Sequence, residues 1–531
     1  MAESATTLVD LMARRVSAEP DTAYFHLYNE TVTYGDLWRE SARYAAGLGR
    51  AGVERGDKVC LIYPTCKEFF FTFFGAMRLG AVPVPLYPTL GVEATANVFR
   101  DSEAKAVVTI GWFRQGVEES RVGAPQMRQV LEPQDLEVDG PVPPLPTARE
   151  SDIAFIQYTS GSTGDPRGVV LSHANVTQTV AFMADAAQLT REDVVVSWLP
   201  LYHDMGLIGC AFTPPSIGAP LWLLPPDLKN PRSWLELVTR VKASFTVSPD
   251  FGFRNCVRNI GDTTGIDLSS LKQALSGAEP VRLSTIEAFE KKFDCPNLIS
   301  PCYGLAEATL AVAIWPRKTP LRLDTSGRFL SVGAPCPGVS VRIVDEAGPV
   351  GPGVEGEICV KSPGVMQGYY KNPEATRRVL SPDGWLRTGD LGFLDRDGLL
   401  FVSGRLKDLI ILGGVNLVPA DIEEIADHVP GVRYSAAVGI ESERTGTQRL
   451  HVVAEVREGA GNPESLVALV REIVQRVHRG GGHRPARVLL VRPGTIPKTS
   501  SGKIQRSRLG QMIADDQLGD RVVYASGGHG S

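Results

Sequence analysis

The eight cysteines of this chain (Cys60, Cys66, Cys210, Cys256, Cys295, Cys302, Cys336, Cys359) contain no Cys-x-x-Cys pair, and the eight histidines contain no His-x-x-x-His pair. That spacing excludes the usual zinc frameworks and a disulfide scaffold. It predicts scattered core thiols in a reducing compartment. No run reaches the ~20 apolar residues of a membrane span. The greasiest stretch, Phe69-Phe-Phe-Thr-Phe-Phe-Gly-Ala-Met77, is interrupted by Arg78. The start, Met1-Ala-Glu-Ser-Ala-Thr-Thr, lacks a basic segment followed by an apolar one, and the end, His529-Gly-Ser531, carries no peroxisomal or lipidation signal. A cytoplasmic protein without stable membrane insertion is expected. Excess basic charge is also missing. The net charge of −5 gives no bulk attraction for nucleic acid, and no nucleic-acid partner is expected.

What is present is an ordinary globular composition, 43% hydrophobic and 22% charged over 531 residues, enough for roughly three or four domain-sized units. From about residue 30 to 300, strand-like runs alternate with helical ones: 58–63, 106–110, 194–198, 245–248 and 273–276, with a helix over 283–293. This alternation predicts an α/β fold with mostly parallel sheets covered by helices. After about residue 330 short strands and turns (340–344, 356–360, 399–402) suggest a small antiparallel barrel or meander. Beyond Arg405 a smaller α+β unit is expected, with helices over 420–427 and 463–477 and strands over 434–438, 450–456 and 487–491. The domain boundary is placed at 404/405. Gly480-Gly-Gly482 and the chain after Asp520 read as mobile.

The most informative stretch is Tyr158-Thr159-Ser160-Gly161-Ser162-Thr163-Gly164-Asp165-Pro166-Arg167-Gly168. Glycines let backbone N–H groups approach a ligand, hydroxyls add donors, and Arg167 adds a fixed charge, which together suit a polyphosphate. A Gly/Ser/Thr run is ordinarily a plain surface turn, but apolar strands flank this one on both sides. It is not a Walker loop, because Gly164 is followed by Asp165 and the exit is a strand, and its spacing is not G-x-S-x-G.

Four further clusters carry chemistry, each with a plainer alternative. In Tyr303-Gly304-Leu305-Ala306-Glu307 a tyrosine can stack on a purine and a carboxylate can hold Mg²⁺, or the segment simply starts a helix. Asp390, after Thr388-Gly389, can take ribose hydroxyls with Arg405 following at a distance, or mark a β-turn. Lys503, in Pro497-Lys-Thr-Ser-Ser-Gly-Lys-Ile504, can neutralise a transferring phosphoryl group, or sit on a solvated basic loop. His203 and Asp204, in Trp198-Leu-Pro-Leu-Tyr-His-Asp-Met-Gly206, can wall off an apolar pocket, or be structural.

In order and spacing the five clusters resemble the adenylate-forming superfamily of acyl-CoA synthetases, non-ribosomal adenylation domains and luciferases, over nearly the whole chain. Leu199–Gly206, Tyr303–Thr309, Lys407–Asn416 and Gly494–Lys503 look most like the fatty acyl-AMP ligases within it. The resemblance implies a large N-terminal domain (1–404) and a small mobile C-terminal domain (405–531). It also implies a two-step reaction: carboxylate attacks the α-phosphorus of ATP, giving acyl-AMP and pyrophosphate, and a thiol then takes the acyl group. Carried over, Thr159, Ser160, Gly161, Ser162, Thr163 and Gly164 grip the β- and γ-phosphates with Arg167, and Glu307 holds Mg²⁺. Gly277, Ala278, Glu279, Tyr303 and Gly304 frame the adenine, Asp390 and Arg405 bind the ribose, and Lys503 stabilises the adenylation step. Lys407 falls at the hinge, and Gly413 and Gly414 on the loop facing the thiol channel. His203, Asp204 and Phe251 fall at the acyl pocket, as do the neighbouring Trp198, Phe212 and Phe253, where aromatics serve equally as core.

The chain departs from the pattern in three places. Arg167 stands where many relatives have lysine, and Ala306 where many have threonine. The segment that fatty acyl-AMP ligases insert after the Tyr-Gly-Leu-Ala-Glu cluster, thought to restrain domain rotation, has no room in 311–331. The expectation is a hydrophobic carboxylic acid, long-chain or polycyclic, activated with ATP and passed to CoA. The alternatives are a ligase that loads the phosphopantetheine of an acyl carrier protein, and an enzyme of only one half-reaction.

Overall fold

A computed structural model describes residues 7–138, 148–159, 166–412, 415–442, 447–457, 463–499 and 503–526. Of the expected site residues, Ser160, Gly161, Ser162, Thr163, Gly164, Gly413 and Gly414 lie outside the described residues.

By its contacts the chain forms two compact units. The larger holds Met1–Thr159, Pro166–Thr388 and Phe393–Phe401; the smaller includes Gly389–Gly392 and Val402–Ser531. In the larger unit, strands Val82–Leu86, Lys58–Ile62, Ala106–Thr109 and Gln129–Leu131 form a parallel sheet in that order. A second sheet runs parallel from Ala23–Leu27 through Leu221–Leu223, Val195–Ser197, Phe245–Pro249, Gln273–Gly277 and Ile299–Gly304. From Ala311–Ile314 onward it continues antiparallel, and the turn-rich region after residue 330 is hydrogen-bonded into it. A third, antiparallel sheet joins Ile153–Thr159, Arg167–Ser172 and Gly368–Tyr369.

The greasy Phe69–Phe74 run lies in helix Lys67–Leu79, apolar on nearly every face and buried among aromatics, which is how a core helix reads in sequence. Gly80, at φ +77°, closes it in the left-handed conformation that glycine adopts without strain. Among the described residues no helix is long and apolar enough to cross a membrane.

In the smaller unit, strands Val432–Ser442, Thr447–Val456, Arg487–Val491 and Val522–Ala525 form one sheet, with helix Pro463–Gly481 as the crossover between its parallel pair. Two segments expected to be mobile carry regular structure in part, and 527–531 of the second lie outside the described residues. Gly480 and Gly481 continue the helix, because a side chain at Gly481 would come within 2.8 Å of Ile422 Cδ1; the glycines let helix Pro419–Asp427 pack closely. After Asp520 the chain adds Val522–Ala525 to the sheet, pairing Tyr524 with Leu490.

Candidate active site

In the larger unit, expected nucleotide-binding residues gather at the carboxyl ends of two adjacent parallel strands, where open α/β sheets place ligands. Strand Gln273–Gly277 ends at Gly277, where a Cβ would approach Cys302 Sγ to 2.6 Å, so the two strands close together only over glycine. Ala278 follows at φ +65°, a strained angle for a side-chain-bearing residue that turns the backbone sharply. Glu279 does not point outward: its carboxylate accepts the Phe251 N–H at 2.6 Å. It thereby holds the first turn of helix Asp250–Asn259. Burial, and next the nearby Asp250 carboxylate, push the Glu279 acid up to about 7.

Strand Ile299–Gly304 delivers Tyr303, and the chain then reverses around Gly304, where a Cβ would overlap the Leu310 carbonyl. The helix start that was the plainer reading of this cluster is not formed. Glu307 sits on the single 3₁₀ turn Ala306–Ala308. It is fixed twice: its carbonyl accepts the Met366 N–H at 2.8 Å, and its carboxylate accepts the Tyr369 hydroxyl at 2.9 Å.

Tyr369 is a residue the motifs missed. Strand Gly368–Tyr369 pairs with Arg167–Ser172, and the tyrosine side chain meets both Arg167 and Glu307. The Arg167 guanidinium lies 5.4 Å from the Tyr369 ring centroid. A planar cation stacks there in a way an ammonium does not match, which gives the departure at Arg167 a physical reason. Burial and Glu307 together raise the Tyr369 phenol well above the ordinary range, keeping it a proton donor. The sequence signal was Gly368-Tyr-Tyr370, but Glu307 lies sixty-two positions away (369 − 307).

Among the described residues no group of three or more His, Cys, Asp or Glu could hold a metal. The donor set fits Mg²⁺ bound through one carboxylate plus phosphate oxygens and water, the usual arrangement for that ion.

At the expected acyl side, Asp204 accepts the Met205 N–H at 2.8 Å and starts the π-helix Met205–Phe212. Such helices recur at functional sites. His203 lies edge-on to Tyr202, ring centroids 4.9 Å apart, and Tyr202 in turn meets Tyr87 at 5.0 Å. Phe212 belongs to the core, packed on Phe73 and Phe74, and Phe253 is buried between Trp234 and Phe289. The half-buried Phe251 meets Trp198 at 6.0 Å and 90°. Trp198 also lines a narrow cleft with Leu224, Pro225, Leu228 and Trp234.

The smaller unit carries the remaining residues. Arg405 Nε donates to Asp390 Oδ1 at 2.5 Å, with Asp390 only 4% exposed. Lys407 lies exposed on the 3₁₀ turn Leu406–Asp408. Lys503 is tied to Thr499: its N–H donates to Thr499 Oγ1 at 3.1 Å and its carbonyl accepts the Thr499 N–H at 2.8 Å.

The AMP-binding enzyme family matches residues 12–370. The chain belongs to that family. It is 36% identical over 539 residues to the long-chain-fatty-acid–AMP ligase FadD26 of Mycobacterium marinum, covering 90% of this chain and 91% of that one. It is 33% identical to the 4-hydroxyphenylalkanoate adenylyltransferase of the same organism, over 97% of this chain and 92% of the other. Among solved structures, one from a study of fatty acyl-adenylate ligases of E. coli and L. pneumophila superimposes with a TM-score of 0.87 at 29% identity, covering 96% and 98% of the two chains. This AMP-binding enzyme is therefore an AMP-forming ligase that activates a carboxylic acid as its adenylate, on a fold of a large sheet-containing domain and a smaller C-terminal one.

Proposed function

We propose that the protein is an acyl-CoA synthetase: it forms the adenylate of a hydrophobic carboxylic acid from ATP and then transfers the acyl group to the thiol of CoA. The observation that carries the second step is the connection between strands Ala311–Ile314 and Ser331–Pro335. It is short, and its ties run within the larger unit. Trp315 Nε1 donates to the Thr319 carbonyl at 3.0 Å, and Arg317 pairs with the buried Asp193 at 3.5 Å. Arg322 pairs with Asp395 at 3.1 Å and Asp397 at 2.7 Å. No spare length remains for a segment that restrains rotation.

In this reading Thr159, Arg167 and the loop between them grip the pyrophosphate, and Tyr369 orients Glu307, which holds Mg²⁺ against phosphate oxygens. The metal supplies charge neutralisation at the phosphates. The Gly277–Ala278 backbone, Tyr303 and Gly304 receive the adenine, and Asp390, oriented by Arg405, takes the ribose. Phe251 and Trp198, with His203 and Asp204 nearby, wall an apolar acyl pocket. Lys503 stabilises charge on the reacting phosphoryl group. Lys407 serves as the hinge and Gly413-Gly414 face the thiol channel, so one small domain serves two steps in turn. Soluble cytoplasmic enzymology fits all of these substrates.

The relatives' names, an AMP ligase and an adenylyltransferase, speak for the adenylate as product, and the second reading is an acyl-AMP ligase that then loads a carrier protein. Incubating the enzyme with ATP, Mg²⁺, a panel of hydrophobic acids and either CoA or a holo carrier protein separates the two by mass spectrometry of the thioester. Acyl-CoA formation supports the proposal. Accumulation of acyl-AMP with acylation of the carrier alone overturns it.

A further inference from the structure

Arg506 begins helix Arg506–Ala514, three residues after Lys503. Little slack separates the two. Lys498 and Ile504 form an antiparallel bridge, and the Gln505 N–H donates to the Pro497 carbonyl at 2.9 Å. The Arg506 side chain, 17% exposed, turns inward and makes three charge-assisted hydrogen bonds. Nε and Nη2 grip the two oxygens of Glu423, at 2.9 and 2.7 Å, in the planar fork that only arginine offers. Nη1 donates to Asp408 Oδ2 at 2.9 Å. Asp408 immediately follows Lys407 on the same 3₁₀ turn. Glu423, on helix Pro419–Asp427, is 2% exposed as a side chain and also accepts the Ala437 N–H at 3.0 Å, which fastens the cluster to strand Val432–Ser442.

A surface residue would not need this. Two carboxylates and a guanidinium have been largely taken out of water and joined by three hydrogen bonds of 2.7–2.9 Å, and such a cluster specifies one arrangement more than it adds stability. The arrangement it specifies joins the start of the smaller unit to the loop that carries Lys503, segments almost a hundred positions apart.

We infer that Arg506 is a positioning residue for adenylation: through Asp408 and Glu423 it locks the Lys503 loop to the Lys407 turn, so that a rotation begun at the turn is delivered to the lysine without loss. The inference rests on the adenylation role proposed above for Lys503. Misplacement of a catalytic group by about 1 Å costs on the order of a hundredfold in rate.

The test measures the two half-reactions separately, by pyrophosphate exchange and by CoA acylation from supplied acyl-AMP, in the full-length protein. Arg506→Met is expected to lower the kcat of adenylation by about 10- to 100-fold with the KM for ATP and acid unchanged. Arg506→Lys, which keeps the charge but not the fork, should recover part of that loss. In a Lys503→Ala background Arg506→Met should cost nothing more, because residues acting through one group are not additive. Asp408→Asn keeps size and shape and tests the same link by a second route: a several-fold loss of kcat, again absent without Lys503, is expected even where Arg506→Met fails to fold. Equal losses with and without Lys503, or wild-type kcat in Asp408→Asn, overturn the inference. Full adenylation by Lys503→Ala removes the reading of Lys503 and the inference with it, whereas loss in Lys503→Ala beside unimpaired Arg506→Met removes the inference alone.

Discussion

At the scale of single residues, the sharpest test is the hydroxyl of Tyr369. Tyr369→Phe keeps the ring beside Arg167 and deletes the hydroxyl that bonds the Glu307 carboxylate. A hydrogen bond to a charged group is worth about 1.5–3 kcal/mol. Adenylation should therefore fall at least tenfold, with a raised Mg²⁺ requirement, read from pyrophosphate exchange across a Mg²⁺ titration. Glu279 gives a prediction in pH. Its acid sits at about 7, above the ordinary 4.5, because it is buried and faces Asp250. A raised carboxyl pKa means that the folded state holds the proton more tightly than the unfolded one. Its contribution to stability is full below 4.5 and is lost as pH rises through about 7. Glu279→Gln keeps an acceptor for the Phe251 N–H and cannot ionise. The variant should unfold at a higher temperature than wild type at pH 8, and that advantage should vanish by pH 4.5. These two residues also mark how far the sequence could be read. Glu307 and Glu279 were visible as members of ordered clusters. Tyr369 and the inward turn of Glu279 were not, because each depends on a partner brought in from another strand or helix.

At the scale of elements, the parallel strands were legible because strands buried on both faces read as short unbroken apolar runs, such as Phe245–Pro249 and Gln273–Gly277. The Gly480–Gly481 turn of helix was not, since glycine weakens a helix locally and only the close packing on Ile422 explains it there. The connection after Ala311–Ile314 was short enough in sequence to suggest the missing insertion, but its anchor was invisible. Asp193 is fully buried and gathers Ser244, Lys272 and Arg317. Against the cost of burial, these donors hold its acid down to about 2. Its contribution is present above the ordinary 3.8 and is lost only as pH falls through about 2. Asp193→Ala strands Arg317 beside an empty partner and should cost about 3 kcal/mol in urea unfolding. It should also free the connection, seen as new tryptic cleavage at Arg317 and Arg322.

At the scale of the whole molecule, the residues proposed for chemistry are divided between two units: Glu307 belongs to one and Lys503 to the other. Lys503→Ala should reduce acyl-AMP formation by about 10²- to 10³-fold, the scale of one lost transition-state donor. It should leave CoA acylation from supplied acyl-AMP close to wild type. Parallel loss of both steps would falsify the separate role given to this lysine.

An enzyme that makes activated acyl groups risks acylating itself. All eight cysteines are free, and six of them are buried. Cys302, half-buried and the immediate neighbour of Tyr303, is pushed by desolvation up to about 12. At neutral pH its sulfur stays a thiol and a poor nucleophile. Desolvation thus disarms the protein thiol beside Tyr303, in the nucleotide wall proposed above, and leaves the mixed anhydride to the incoming substrate. Iodoacetamide at pH 8 should leave Cys302 unlabelled in peptide mapping, with no acyl adduct there after turnover.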